Sequence, residues 1–188
     1  MRWEVTTAPA SEPVALADIE AELEIPDAFA DSKLTMKIEA ARQDVEEFLN
    51  RALITQTITL TLDNWPKKET IVLPRIPFGA ITSFNYLDTG GSSTGLVAGT
   101  DYRITSNGQE ARIIPINSWP SLVSDRNERV TIVYTAGYGS SAGDVPDAIR
   151  TALLLHIGWQ FSYGQISEEL WRKMCKRFIH FYDWSVND

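Results

Sequence analysis

Thr55-Gln56-Thr57-Ile58-Thr59-Leu60-Thr61-Leu62 alternates polar and apolar residues without a break. A period of two puts Ile58, Leu60 and Leu62 on one face of an extended chain and predicts a half-buried strand. The residues before it keep a different period. Leu34, Ile38, Ala41, Val45 and Phe48 step by four, three, four and three, which lays one apolar stripe along a helix. The period therefore changes near residue 53, and the change separates a helical region from a sheet region.

Upstream, Leu16, Ile19 and Leu23 share one helical face between Pro13 and Glu24, and Ile25-Pro26-Asp27 stops that helix. Asp31 or Ser32 is placed to cap the next one. Downstream, residues 71–73, 80–87, 102–105, 111–114 and 130–135 are further strand candidates. Asn64-Trp65-Pro66, Asp88-Thr89-Gly90-Gly91, Ser106-Asn107-Gly108 and Asp125-Arg126-Asn127 separate them as turns. Connections this short predict antiparallel pairing, because parallel crossovers need about a dozen residues or more. The Gly, Ser and Thr stretch from Thr89 to Thr100 reads as an exposed, mobile hairpin tip. Helical pattern returns over residues 145–184. Pro146 suits a first helical position, and Leu153, Leu154, Leu155, Ile157, Trp159 and Phe161 point around a whole wheel, as in a buried helix. A last helix is expected from Ser167, with Glu168 and Glu169 in its first turn and Leu170, Met174 and Phe178 on its apolar stripe. The expected fold is α+β: helices 1–52 and 139–188 form a small bundle, and 53–138 form an inserted antiparallel β domain.

Composition narrows the function. The chain has 188 residues with a net charge of −8, and residues 1–50 alone hold 12 acids against 4 bases. The rest of the chain is balanced, so the excess is confined to the first helices. Such a chain is poorly suited to gripping nucleic acid, which takes clustered Lys and Arg. A lone Cys175 excludes an intrachain disulfide and a multi-cysteine zinc site. Met1-Arg2-Trp3-Glu4-Val5-Thr6 has no signal-peptide character, and Ala152–Gly158 is too short to span a bilayer. A soluble protein of a reducing cytoplasm is the expectation.

Motifs for chemistry are sparse. Gly139-Ser140-Ser141-Ala142-Gly143 matches G-x-S-x-G, with Ser141 as nucleophile of a serine hydrolase. That motif needs a parallel sheet beneath it and a histidine beside it, and the only histidines are His156, in an apolar helix, and His180. No phosphate loop is present, and no cofactor is expected. His156 and Cys175 read as core residues, and the carboxylates lack the spacing of a calcium loop, so no metal is expected. Arg172, Lys173, Lys176 and Arg177 follow the acids of the last helix in the order its dipole favours. Trp171, Phe178, Phe181, Tyr182 and Trp184 crowd the last 18 residues, more aromatics than one helix hides, and suggest docking into another protein.

Taken in order, a further set of short motifs resembles the head–tail connector (adaptor) family of long-tailed phages and related phage-like particles. The set is Glu12-Pro13 with Leu16, Ala40-Ala41-Arg42 with Val45-Glu46, Arg51-Ala52-Leu53-Ile54-Thr55-Gln56-Thr57, Leu73-Pro74-Arg75 with Pro77, Tyr86, Tyr102, Arg112-Ile113, Trp119-Pro120, Tyr134-Thr135-Ala136-Gly137-Tyr138 and Val145-Pro146. The resemblance as a whole runs from about Ala8 to Trp184. Ala15 and Gly164 depart from residues common in the family. The resemblance implies a virion protein of the neck with no catalytic residues: a closed, typically dodecameric ring under the portal protein that prolongs the DNA channel and offers a platform to the stopper or tail. A ring needs two different patches per subunit. The acids Asp18, Glu20, Glu22, Glu24, Glu39, Asp44, Glu46 and Glu47 are expected partly to face the channel, so that DNA passes without specific binding. The segment carrying Arg172, Lys173, Lys176, Arg177, Phe181, Tyr182 and Trp184 is expected to dock on the portal. The alternative from composition alone is a small acidic scaffold or regulatory binding protein.

Overall fold

In the computed structural model, residues 1–22, 31–161, 172, 173 and 176 are described. They divide into two compact units. One comprises Met1–Pro9 and Thr55–Gly137, and the other Ala10–Ile54 and Tyr138–Asp188. The first nine residues, grouped above with the helices, thus belong with the sheets.

The first unit is built of β-strands, and its named strand pairs are all antiparallel. Strands β1 (Arg2–Thr7), β2 (Gln56–Leu62), β8 (Val130–Ala136), β4 (Phe78–Leu87) and β5 (Ser93–Gly95) lie in that order in a five-stranded sheet. Strands β3 (Ile71–Leu73), β7 (Ala111–Pro115) and β6 (Tyr102–Ser106) form a three-stranded one. The alternation that opened the sequence reading is realised in β2 and in β8, where buried and half-buried residues alternate along the whole strand. Their register sets Ile58 opposite Tyr134, Leu60 opposite Ile132 and Leu62 opposite Val130. All six side chains are buried on one face.

The two sheets meet through Phe84 of β4 and Tyr102 of β6, whose ring centroids lie 5.0 Å apart. The Tyr134 hydroxyl donates to the Pro74 carbonyl. At one side, Trp65 stacks on Trp119 at 4.6 Å, and each indole N–H donates to a backbone carbonyl, of Pro120 and Glu69 respectively. A buried indole without such a partner would carry a desolvation cost.

Two strands escaped the sequence reading. β1 has little local signal, because its apolar residues, Trp3 and Val5, are few and exposed. β5 lies inside the stretch expected to be a mobile tip. There the Asp88 carboxylate accepts from the Gly90 and Ser92 N–H groups, at 2.9 and 3.0 Å, and Ser93–Gly95 pairs with Asn85–Leu87. The Asx turn gives this hairpin a defined register.

The second unit is helical: α1 (Leu16–Glu22), α2 (Asp31–Leu49) and α3 (Asp147–Phe161). The stripe Leu34, Ile38, Ala41 and Val45 is buried together with Ile19, Leu53, Ile149, Leu153 and Ile157 in one core. Phe48 packs on that core half-buried. Asn50, with φ of 51°, ends α2. Its N–H donates to Glu47, and that of Arg51 to Glu46 at 3.0 Å, the paired bonds of a Schellman stop with Asn in the usual glycine place. The helix expected from Ser167 falls outside the described residues, except that Arg172, Lys173 and Lys176 are helical.

Ile132 sits at the centre of the β core and is fully buried. Ile132→Ala should destabilise the chain by about 2–5 kcal/mol. Urea unfolding followed by tryptophan fluorescence would show it, and an unchanged midpoint would contradict this packing.

Candidate functional site

The acids singled out from the sequence separate into distinct environments. Asp18, Glu22, Glu39 and Glu47 are exposed and Glu20 is half-buried, while Glu24 lies outside the described residues. Asp44 keeps a side chain that is 57% exposed, but its Oδ2 lies 2.9 Å from Nε2 of His156, which is buried on α3 and stacked on Trp159.

Glu46 corrects the expectation outright. It is buried, and two groups converge on its carboxylate. Its Oε1 accepts the Leu53 N–H at 2.8 Å, and its Oε2 accepts from Arg42 at 3.3 Å. Arg42, also buried, donates its Nε to Glu12 at 2.8 Å. Arg42 and Glu46 stand at i and i+4, the one local signal in the sequence that they meet. Glu46 therefore does not belong to a channel-facing set. The remaining exposed acids lie on α1 and α2 of a single unit and keep a concentrated negative surface.

Of the basic residues proposed for docking, Arg172, Lys173 and Lys176 are helical and exposed. The Arg172 guanidinium lies 5.7 Å from the ring centroid of Phe48 on α2. Arg177, Phe181, Tyr182 and Trp184 lie outside the described residues.

Ser141 has a structural task. It precedes a short 3-10 turn, Ala142–Asp144, and its N–H and hydroxyl both donate to Asp144 Oδ2 at 2.9 Å. The strand before it belongs to an antiparallel sheet, not to the parallel sheet of a hydrolase elbow. His156 is engaged with Asp44. The Asp144 carboxyl is held below its ordinary value by these bonds from Ser141, backbone first and hydroxyl second, with help from the Ser140 backbone.

Among the described residues, no group of three or more His, Cys, Asp or Glu is placed to hold a metal ion, and no helix is long and apolar enough to cross a membrane. A concavity of about 170 Å³, beside Tyr86, Asp101 and Trp119, is below the usual size of small-molecule sites, and a shallow, open one of about 460 Å³ lies beside Arg2, Asp63 and Glu128. The features that stand out are surfaces. Besides the acidic and basic faces there is β1, whose six residues are all exposed. Its signal in the sequence was a brief alternation of Trp3 and Val5 with Arg2, Glu4 and Thr6.

No family model matches this chain, and no curated protein matches it by sequence. Solved structures do. A chain in the virion of a native gene transfer agent (GTA) particle is 23% identical, with a TM-score of 0.77 over 94% of both chains. A chain in the neck of an empty GTA particle computed with C6 symmetry is 24% identical, with a TM-score of 0.74 over 86% of this chain and 84% of that one. A chain in the neck of a native GTA particle computed with C12 symmetry is 24% identical, with a TM-score of 0.72 over the same shares. The likeness is one of fold. The α+β architecture expected from the sequence pattern is shared with these chains.

Two tests follow from the buried and exposed carboxylates. Glu46→Ala, which leaves Arg42 and the Leu53 N–H without their shared acceptor, should cost about 3–5 kcal/mol. Glu47→Ala, on the exposed face, should stay within about 0.5 kcal/mol. Equal effects in chemical denaturation would refute the distinction. Asp144 supplies the second test. Its folded carboxyl is depressed from the ordinary value of 3.8, so its contribution is complete above that pH and lost as pH falls through the folded value. The stability gap between wild type and Asp144→Asn should therefore be present at neutral pH and close in acid. A gap independent of pH would show that the hydrogen bonds from Ser141 do not favour the charged form.

Proposed function

We propose that this chain is a structural head–tail connector: a neck component that assembles as a ring beneath a portal protein, prolongs the DNA channel and offers a platform to a stopper or tail. The observation that carries the reading is the likeness over 94% of both chains to a chain from the virion of a GTA particle, a phage-like particle, joined by the likeness to neck chains. The C6 and C12 symmetries of those necks favour a closed ring, and C12 favours a dodecamer. The work of such a protein is done by surfaces, and no catalytic role is assigned to any residue.

Within this reading, the exposed acids Asp18, Glu22, Glu39, Asp44 and Glu47, with half-buried Glu20, are placed toward the channel together with Glu24. Repulsion between like charges lets DNA pass without adhering. Arg172, Lys173 and Lys176 are assigned to the portal-facing segment, along with Arg177, Phe181, Tyr182 and Trp184. Aromatic residues and Arg are enriched at interface centres, and Lys belongs to the polar rim.

The mass of the purified chain, alone and mixed with a candidate portal protein, tests this by native mass spectrometry. A closed ring, alone or only on the portal, is the expected outcome. A chain that stays monomeric with its cognate portal would overturn the proposal. Truncation after Lys176 should then abolish portal binding while leaving the circular dichroism spectrum of the folded units.

A further inference from the structure

The five-stranded sheet is open, and its two edges differ. On one side lies β1, paired only with β2 through Arg2 opposite Thr61, Trp3 opposite Leu60, Glu4 opposite Thr59 and Val5 opposite Ile58. On the other side lies β5, three residues long. Sheet edges expose a row of unpaired N–H and C=O groups, and proteins that stay monomeric shorten such edges or break them with proline, lysine or a bulge. β5 is short, but it too carries no proline or lysine. β1 runs six residues without proline or lysine, and its bulge comes only at the far end, between Val5 and Thr7.

The side chains of β1 point to the same conclusion. Trp3 and Val5 share the face of Leu60 and Ile58, which are fully buried, yet Trp3 is 36% and Val5 42% exposed, and Met1 beside them is 69% exposed. The apolar face of the sheet thus continues past the cover that the smaller sheet provides. The Arg75 guanidinium, 4.9 Å from the Trp3 ring centroid, is the side chain that reaches over this overhang. Arg2 and Glu4 take the opposite face and pair with each other at 3.0 Å.

We propose that β1 is the ring interface of this chain: a neighbouring copy adds its β5 edge to β1, so that the five-stranded sheets join edge to edge around the ring. The inference rests on the ring reading above and supplies its contact. Cyclic symmetry above twofold requires a heterologous contact, in which two different patches of the same chain meet. The two edges of one open sheet are such a pair, and both belong to one rigidly hydrogen-bonded element. Pairing β1 with β1 would be isologous and would close as a dimer.

Cross-linking tests it directly. In a Cys175→Ser background, Glu4→Cys on β1 and Ser93→Cys on β5 place thiols at exposed positions of the two edges. After assembly, alone or on the portal, a short bis-maleimide should convert the double variant into a ladder of covalent multimers reaching the ring size, and neither single variant should form one. A ring that assembles but gives no ladder would overturn the edge contact and leave the connector reading standing. Covalent dimers from Glu4→Cys alone would overturn it in favour of β1–β1 pairing. If no ring forms under any condition, both proposals fall. Trp3→Lys with Val5→Lys is the independent check. It should abolish the ring while the monomer keeps its circular dichroism spectrum, and a ring that persists would refute the role of β1.

Discussion

The carboxylate of Glu46 is the point on which the helical unit turns. Buried on the last turns of α2, it faces inward to the Arg42 guanidinium and forward to the Leu53 N–H. Arg42 in turn holds Glu12, just before α1. One acid therefore links the chain entering the helices to the chain leaving them. A buried ion pair contributes little net stability against an apolar replacement, yet it is costly to break once formed. Its service here is to fix geometry. The Schellman stop at Asn50 and the Leu53 N–H bond set where the helix ends and how residues 51–54 leave it.

The β unit rests on a different principle. Its core is made by alternation in β2 and β8 and closed by the smaller sheet through aromatic contacts. Closure is incomplete at β1, where the larger sheet extends beyond its cover. An open sheet with two different edges suits a chain that works in copies. The same edges would be a liability in a protein that must stay alone.

Much of this was legible in the residues. The change from steps of three and four to steps of two separated helices from strands, and six of the eight strands followed from alternation and turn residues. What escaped had weak local signals. β1 has two apolar residues, neither buried, and β5 sits in a Gly- and Ser-rich stretch ordered by the Asp88 carboxylate. Ser141 matched a catalytic pattern whose meaning depends on the sheet beneath it, and that sheet is antiparallel. Glu46 looked like its exposed neighbour Glu47, because helical spacing places an acid on a face without saying what covers that face.

The sequence by itself determined the order of elements, the antiparallel character of the sheets, the apolar stripes and the concentration of negative charge in the first 50 residues. These are local properties, carried by period, turn chemistry and composition. Only the tertiary structure decided that Arg42 and Glu46 are interior, that His156 meets Asp44, and that Arg2–Thr7 is the edge of a sheet whose next strand begins at Gln56. Burial of a charge and pairing of a strand depend on partners remote in the chain. Their free energy is settled when those partners are brought together, and no window of neighbouring residues contains it.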